Sequence, residues 1–180
     1  YGWAQAKRLV DGLLGSMVYQ GDASNVAVIQ YSGPSDFDAF NLCSSGNPAG
    51  APDLHKDCGI QWVKHFTTNV TDVRSAVRNL KFPGGSSFTY MALGQAKAEL
   101  IYGRQDAPSV VLVISGGSPL FEERTRQAAQ RLKSVARLVW VAVGKAARDG
   151  QRVQDMKSWA SLPWQDNLLL LPDLNQLATP

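Results

Sequence analysis

The run at residues 110–114, five consecutive apolar side chains, four of them β-branched, constrains the fold more than any other stretch. A strand that is apolar at successive positions has no solvent-facing side. Both faces must be covered, as in a parallel sheet packed between helices. The run leads into Ser115, Gly116, Gly117 and Ser118. In an open α/β sheet the ligand crevice lies beyond the carboxyl ends of the strands, so this turn marks a binding address. Its tip offers hydroxyls and backbone amides, and no charge.

The rest of the chain alternates in period. Trp3, Ala6, Val10, Leu13, Leu14 and Met17 fall on one helical face. Residues 25–32 read as a strand, followed by a long Gly-, Pro- and Ser-rich loop over 33–57. Residues 59–66 read as an alternating strand with Ile60 and Trp62 on one face. Thr68 or Asn69 is placed to cap a helix through Leu80, whose buried stripe is Val70, Val73, Val77 and Leu80. Pro83, Gly84 and Gly85 stop it. A helix beginning near 87–89 ends at Gly103 as a C-cap. Further strands are expected at 138–144 and 167–171, and further helices at 121–135, 152–160 and 174–177. Strands alternating with helices imply an α/β fold with a doubly wound, mostly parallel sheet and helices on both faces. Residues 1–180 form one domain, without internal repeats.

Composition excludes several classes. Hydrophobic content of 44% and 18% charged residues describe a globular chain, not a disordered one. The 18 Lys and Arg are interspersed with 15 Asp and Glu, so the net charge of +3 argues against a nucleic-acid partner. No apolar run reaches the ~18 residues of a membrane span. The start at Tyr1, without Met, suggests a processed or partial product.

The blocks FPGGSSFTYMALGQA, VVLVISGG, LVWVAVG and MKSWASLPWQDNLLLLPDLNQL, in this order and spacing, resemble the von Willebrand factor type A domain. The resemblance extends over nearly the whole chain. It implies a three-layer sandwich and a protein or matrix ligand at the carboxyl edge of the sheet. The family's metal site takes a DxSxS loop after the first strand, a Thr before the third helix and an Asp after the fourth strand. Ser87 matches the ligand Thr and is the possible residual ligand; Thr89 matches the second Thr of the same pattern. Gly116 stands at the Asp, removing a carboxylate that a hard divalent cation would use. The expectation is no cofactor and no tightly held metal, with Mg²⁺ entering only if upstream sequence supplies DxSxS. The ligand-binding set is then Ser87, Thr89, Ser115, Gly116, Gly117 and Ser118.

The family's first strand, with its DxSxS, has no counterpart here, because the chain opens in what matches the first helix. That strand lies mid-sheet in this fold. Without it, two rows of backbone groups would be buried unpaired, at about 1–3 kcal/mol each. Another segment, either upstream sequence or a strand from a partner chain, is therefore expected in the slot.

Cys43 and Cys58 bracket the long loop. A disulfide would stabilise by about 3 kcal/mol in the chain-entropy model. Free thiols, or a zinc site with His55 and His65, are the alternatives, and the spacing matches no common finger. Asn69-Val70-Thr71 is a glycosylation sequon, with a helix cap as its structural reading. Cysteines and sequon together favour an extracellular or other oxidising compartment.

No nucleotide-binding glycine loop or nucleophile elbow is present, and the two histidines have no triad context. Glu122 and Glu123 suit a helix N-terminus. Arg126, Lys133 and Arg137 read as a solvated stripe, and as an acidic-partner contact in a sharper reading. Trp62, Trp140 and Trp159 are expected in the core, and Trp3 and Trp164, nearer the edges of their elements, are candidates for exposed anchors. The reading is a non-enzymatic interaction or adhesion module. The alternative is a structural subunit held by neighbouring subunits in a larger assembly.

Overall fold

The computed structural model describes residues 2–20, 24–45 and 51–172. Helix α1 (Gly2–Gln20) precedes strand β1 (Val26–Tyr31). Helix α2 (Phe37–Ser44) and β2 (Ile60–Thr67) follow, then α3 (Val70–Asn79) and α4 (Thr89–Glu99). The second half runs β3 (Val110–Ser115), α5 (Glu122–Lys133), β4 (Arg137–Val143), α6 (Gly150–Trp159) and β5 (Leu168–Leu171).

Local chemistry accounts for most of these boundaries. Asn69 caps α3 by accepting the Asp72 amide at 3.1 Å, and Val70, Val73 and Val77 are its buried stripe. Asp149 accepts from Gln151 and Arg152 at the start of α6, whose Met156 and Trp159 are buried. Glu122 and Glu123 sit in the first turn of α5, where carboxylates complement the helix dipole. Strand β4 is buried on both sides: Leu138, Trp140 and Ala142 join one cluster, Val141 and Val143 another.

The described strands form two sheets rather than one. β3, β4 and β5 are parallel, with Val113 opposite Trp140 and Trp140 opposite Leu168. β1 pairs with β2 in antiparallel register, Tyr31 opposite Ile60 and Val26 opposite Thr67. The three-stranded sheet of the second half is thus parallel, and the two-stranded one of the first half antiparallel.

Two helices tie the halves together. On one side, Val10, Leu14 and Met17 of α1 pack with Val26 and Val28 of β1 and the valines of α3, while Leu9, like Ile114, packs against the Val141 and Val143 cluster. On the other, Ala92 of α4 joins the cluster around Ile60 and Phe88, and its neighbour Leu93 joins Val113 and Trp140. Helices therefore lie on both faces, as the alternation predicts, but β3 is not covered on both sides: Val110 and Leu112 are exposed, and only Val113 and Ser115 are buried.

Several expectations need correction. The 33–57 loop contains α2, capped by Asp36, whose side chain accepts the Ala39 amide at 2.9 Å. Leu13 is exposed beside buried Leu14, and Leu80 is half-buried beyond the end of α3. Gly103 follows a short 3₁₀ turn with φ of −72°, so no left-handed cap forms there. Trp62 is half-exposed and stacks on His65 at 4.6 Å, instead of joining the core with Trp140 and Trp159. Trp3 and Trp164 are half-buried. Arg137 belongs to β4 and Lys133 donates to the carbonyls of Ser158 and Ala160 at the end of α6, so no shared basic stripe exists. The helix expected at 174–177 lies outside the described residues.

Candidate functional site

The connections leaving β1 and β3 meet the segment that leads into α4. The Phe88 amide donates to the Ser32 carbonyl at 2.7 Å, and the Leu120 amide to the Ser87 carbonyl at 3.0 Å. Ser87 and the 115–118 turn are thereby held side by side at the carboxyl edge. Gly33 and Gly59 let the backbones close. Gly59 has φ of +66°, and a Cβ there would stand 2.7 Å from the Gly33 carbonyl. A Cβ on Gly33 would stand 2.9 Å from the carbonyl of Ser86.

Beneath this edge lies a group of hydroxyls. Ser115 and Thr89 are buried, and the Ser115 hydroxyl donates to the Gly117 carbonyl at 3.2 Å. The Tyr31 hydroxyl sits beside both. Burial raises its pKa, and the neighbouring Ser115 and Thr89 hydroxyls work against that rise. Approach is not alignment here: the buried Tyr31 Oη and Thr89 Oγ1 lack a hydrogen-bond partner of good geometry. Gly116 and Gly117 are exposed, Ser87 and Ser118 half-buried. Among the six candidates, Thr89 and Ser115 are thus packed below, and the other four form the outer rim.

Sequence reasoning missed the flank of this rim. Phe37, 74% exposed, stacks on Phe40, which in turn packs on Phe88 and Phe121. The Arg124 guanidinium lies 4.7 Å from the Phe121 ring centroid and donates to the Ser44 carbonyl at 3.1 Å. Cys43 and Cys58 form a disulfide. α2 is therefore fixed at the edge by a covalent bond, an aromatic cluster and one arginine. The signal in the sequence was Asp36 before Phe37 and Phe40, a capping residue ahead of an i, i+3 aromatic pair.

The histidines do not join the cysteines. His65 Nδ1 lies 3.0 Å from Glu99 Oε2, and Glu99, buried, also accepts the Phe66 amide at 2.9 Å. Among the described residues no three His, Cys, Asp or Glu side chains are grouped to hold a metal. Asn69 is exposed, and its carbonyl oxygen is engaged in capping α3.

The family model for the von Willebrand factor type A domain matches residues 1–179. The chain belongs to this family. Such A domains are modules that generally mediate protein–protein interaction or adhesion and are generally non-enzymatic. Among solved structures, proximal thread matrix protein 1 from the mussel byssus matches with a TM-score of 0.69 at 13% identity. The match covers 98% of this chain and 40% of that one. A second structure of the mussel protein, with a zinc-occupied MIDAS motif, matches with a TM-score of 0.69 at 12% identity over 98% and 40% of the two chains. BatB from Bacteroides thetaiotaomicron matches with a TM-score of 0.53 at 14% identity, over 79% of this chain and 56% of that one. At these identities the likeness is one of fold. The A domain spans about two-fifths of the mussel protein's length. No curated protein matches it in sequence.

The two positions that the sequence reading matches to the family's metal ligands carry a serine and a glycine. Ser87 brings one neutral hydroxyl and Gly116 no side chain. A Cβ at Gly116 would come within 3.2 Å of a Val143 methyl, so even the stem of a carboxylate is crowded there. Divalent Mg²⁺ or Ca²⁺ is held by carboxylate and carbonyl oxygens. These two positions do not fit a tightly held divalent cation.

Proposed function

We propose that this A domain is a non-enzymatic binding module that takes a protein or extracellular-matrix ligand at the carboxyl edge without a tightly held metal. The observation that carries this reading is the convergence of Ser87 with the neutral turn at 115–118, where Gly116 replaces the carboxylate. Ligand contacts then come from hydroxyls and backbone amides on the rim, with Phe37 as an apolar anchor beside them. Exposed aromatics with a fixed backbone carry a large share of binding energy at interfaces. The disulfide and the exposed Asn69 sequon suit an oxidising, extracellular setting.

The test uses binding to a panel of immobilised matrix proteins, with Mg²⁺ and with EDTA. Gly117→Arg is the probe, because nothing lies within 4 Å of a Cβ at Gly117 and its φ requires no glycine. Binding to a panel member is expected to be equal in both buffers and to fall at least about tenfold in the variant, as for loss of a central contact. Loss of affinity in EDTA, or full affinity in a folded Gly117→Arg protein, refutes the reading.

A further inference from the structure

The excess positive charge of this molecule is gathered on one face, along the seam between α1 and α3. The two helices pack antiparallel. Lys7 donates to the carbonyls of Arg78 and Leu80 at 2.8 and 2.9 Å, and Asp11 meets Arg74 and Arg78 a turn further along α1. A Cβ on Gly15, the next turn, would stand 3.2 Å from the Arg74 guanidinium. Arg8 lies one turn ahead of Asp11 on α1, Lys81 follows the end of α3, and both are exposed, as is Arg78. Asp11 is the one carboxylate among these five cations, since Asp72 at the far end of α3 is paired with Lys64 at 2.7 Å. Five cations less one anion leave an excess of four, against +3 for the whole chain, so the rest of the molecule is slightly acidic.

The two arginines of α3 are held in place. Asp11 accepts from Nε and one terminal nitrogen of each guanidinium, at distances between 2.9 and 3.3 Å. The other terminal nitrogen of each keeps its two N–H donors for an outside acceptor. A guanidinium fork already fixed loses little freedom when a second carboxylate docks on it. Two guanidinium groups on one carboxylate also leave a positive charge unbalanced there.

An aromatic step stands at the end of this seam nearest the carboxyl edge. Phe82, 70% exposed, leans on Trp3 with ring centroids 5.8 Å apart. The Trp3 indole donates to the Leu80 carbonyl at 3.3 Å, which fixes the backing of Phe82. Residues 83–87 then carry the chain directly from Phe82 to Ser87.

We propose that the α1–α3 face docks an acidic segment of a partner polypeptide, with carboxylates on Arg8, Arg74, Arg78 and Lys81 and an apolar side chain on Phe82. A one-sign excess attracts an anionic partner and repels a basic one. A bilayer fits this face poorly. Interfacial helices bury an apolar face among lipids, whereas Val10, Leu14 and Met17 of α1 are spent on β1 and α3, leaving Phe82 alone to insert. The face goes beyond the rim reading, because it lies on two helices and binds whether or not the rim holds a ligand.

The probe is a fluorescein-labelled synthetic peptide of about eight glutamates, enough extended chain to follow the seam, ending in Leu-Phe. Fluorescence anisotropy reads its affinity at low and high salt. Arg8→Glu and Lys81→Glu are each expected to weaken binding at least about fivefold at low salt, with the differences shrinking as salt rises. Arg131→Glu, at an exposed position on α5, makes the same change in net charge and should cost less than about twofold. Phe82→Ser should weaken the peptide at least about threefold, and leave unchanged the affinity of one lacking Leu-Phe. Four results overturn the proposal: no saturable binding, equal binding of a peptide with Gln for Glu, equal losses in Arg131→Glu and Arg8→Glu, or a Phe82→Ser protein that binds like the parent. So does displacement of the peptide by heparin or phosphatidylglycerol vesicles that bind more tightly than it does, since the face then belongs to a polysaccharide or a membrane.

Discussion

Asp11 joins α1 to α3 and offers a sharp test of what holds α1 over the sheet. Its Oδ1 accepts from the Nε atoms of Arg74 and Arg78, both at 2.9 Å, and its Oδ2 from their terminal nitrogens at 3.3 and 2.9 Å. The Arg74 hydrogen bonds, then those of Arg78, lower its pKa from 3.8 to about 2. A shift of this size corresponds to at most about 2.4 kcal/mol at about 1.4 kcal/mol per unit. Partial exposure of the carboxylate and of Arg78 screens the interaction, so about 1–2 kcal/mol is expected. The folded pKa lies below the unfolded one. The contribution is therefore complete above about pH 4 and is lost as pH falls toward 2. Asp11→Asn preserves shape and removes the charge. Urea unfolding of both proteins between pH 2 and 7 should show the variant less stable at neutral pH, with the gap closing below about pH 3. A gap that is absent at pH 7, or unchanged down to pH 2, refutes the assignment.

Removing the Cys43–Cys58 bridge by a double Cys→Ser substitution should cost about 3 kcal/mol in guanidinium unfolding, given its separation of 15 residues. A loss below about 1 kcal/mol would place α2 under the control of the aromatic cluster and Arg124 instead. Gly59→Ala should destabilise by at least about 1–2 kcal/mol, because φ is +66° and the added methyl meets the Gly33 carbonyl. Gly117→Ala, with open space around it, serves as the control, and equal melting-temperature shifts for the two would contradict the close approach of the edge backbones.

The regular elements were legible because their physics is local. Val70, Val73 and Val77 announce a buried helical stripe, and Asn69 its cap. The all-apolar run at 110–114 announces a parallel strand. What stayed hidden depends on contacts across the chain. Nothing in the alternation at 59–66 reveals that β2 runs antiparallel to β1, because period two is common to both orientations. Trp62 sits inside a strand, but on a half-exposed face against His65. At the edge, Ser87 and the 115–118 turn could be matched by motif, whereas the place of α2 and Arg124 could not. Those positions follow from the disulfide and from the ring contacts of Phe40 and Phe121, which link distant segments.

The antiparallel sense of β2 has a consequence for how this fold can diversify. A connection between parallel strands must travel the length of the sheet and return on its face. The chain between Tyr31 and Ile60 instead leaves and re-enters at the same edge, Ser32 and Gly59 being joined by a 2.8 Å hydrogen bond. What lies between them starts and ends at that point and is tied back by the Cys43–Cys58 disulfide and the ring contacts of Phe40. Lengthening it costs only slowly growing closure entropy, about 0.6 kcal/mol per doubling, and leaves the register of both half-sheets intact. α2 and its exposed phenylalanine belong to this excursion, so its length can vary while the strands below keep their register.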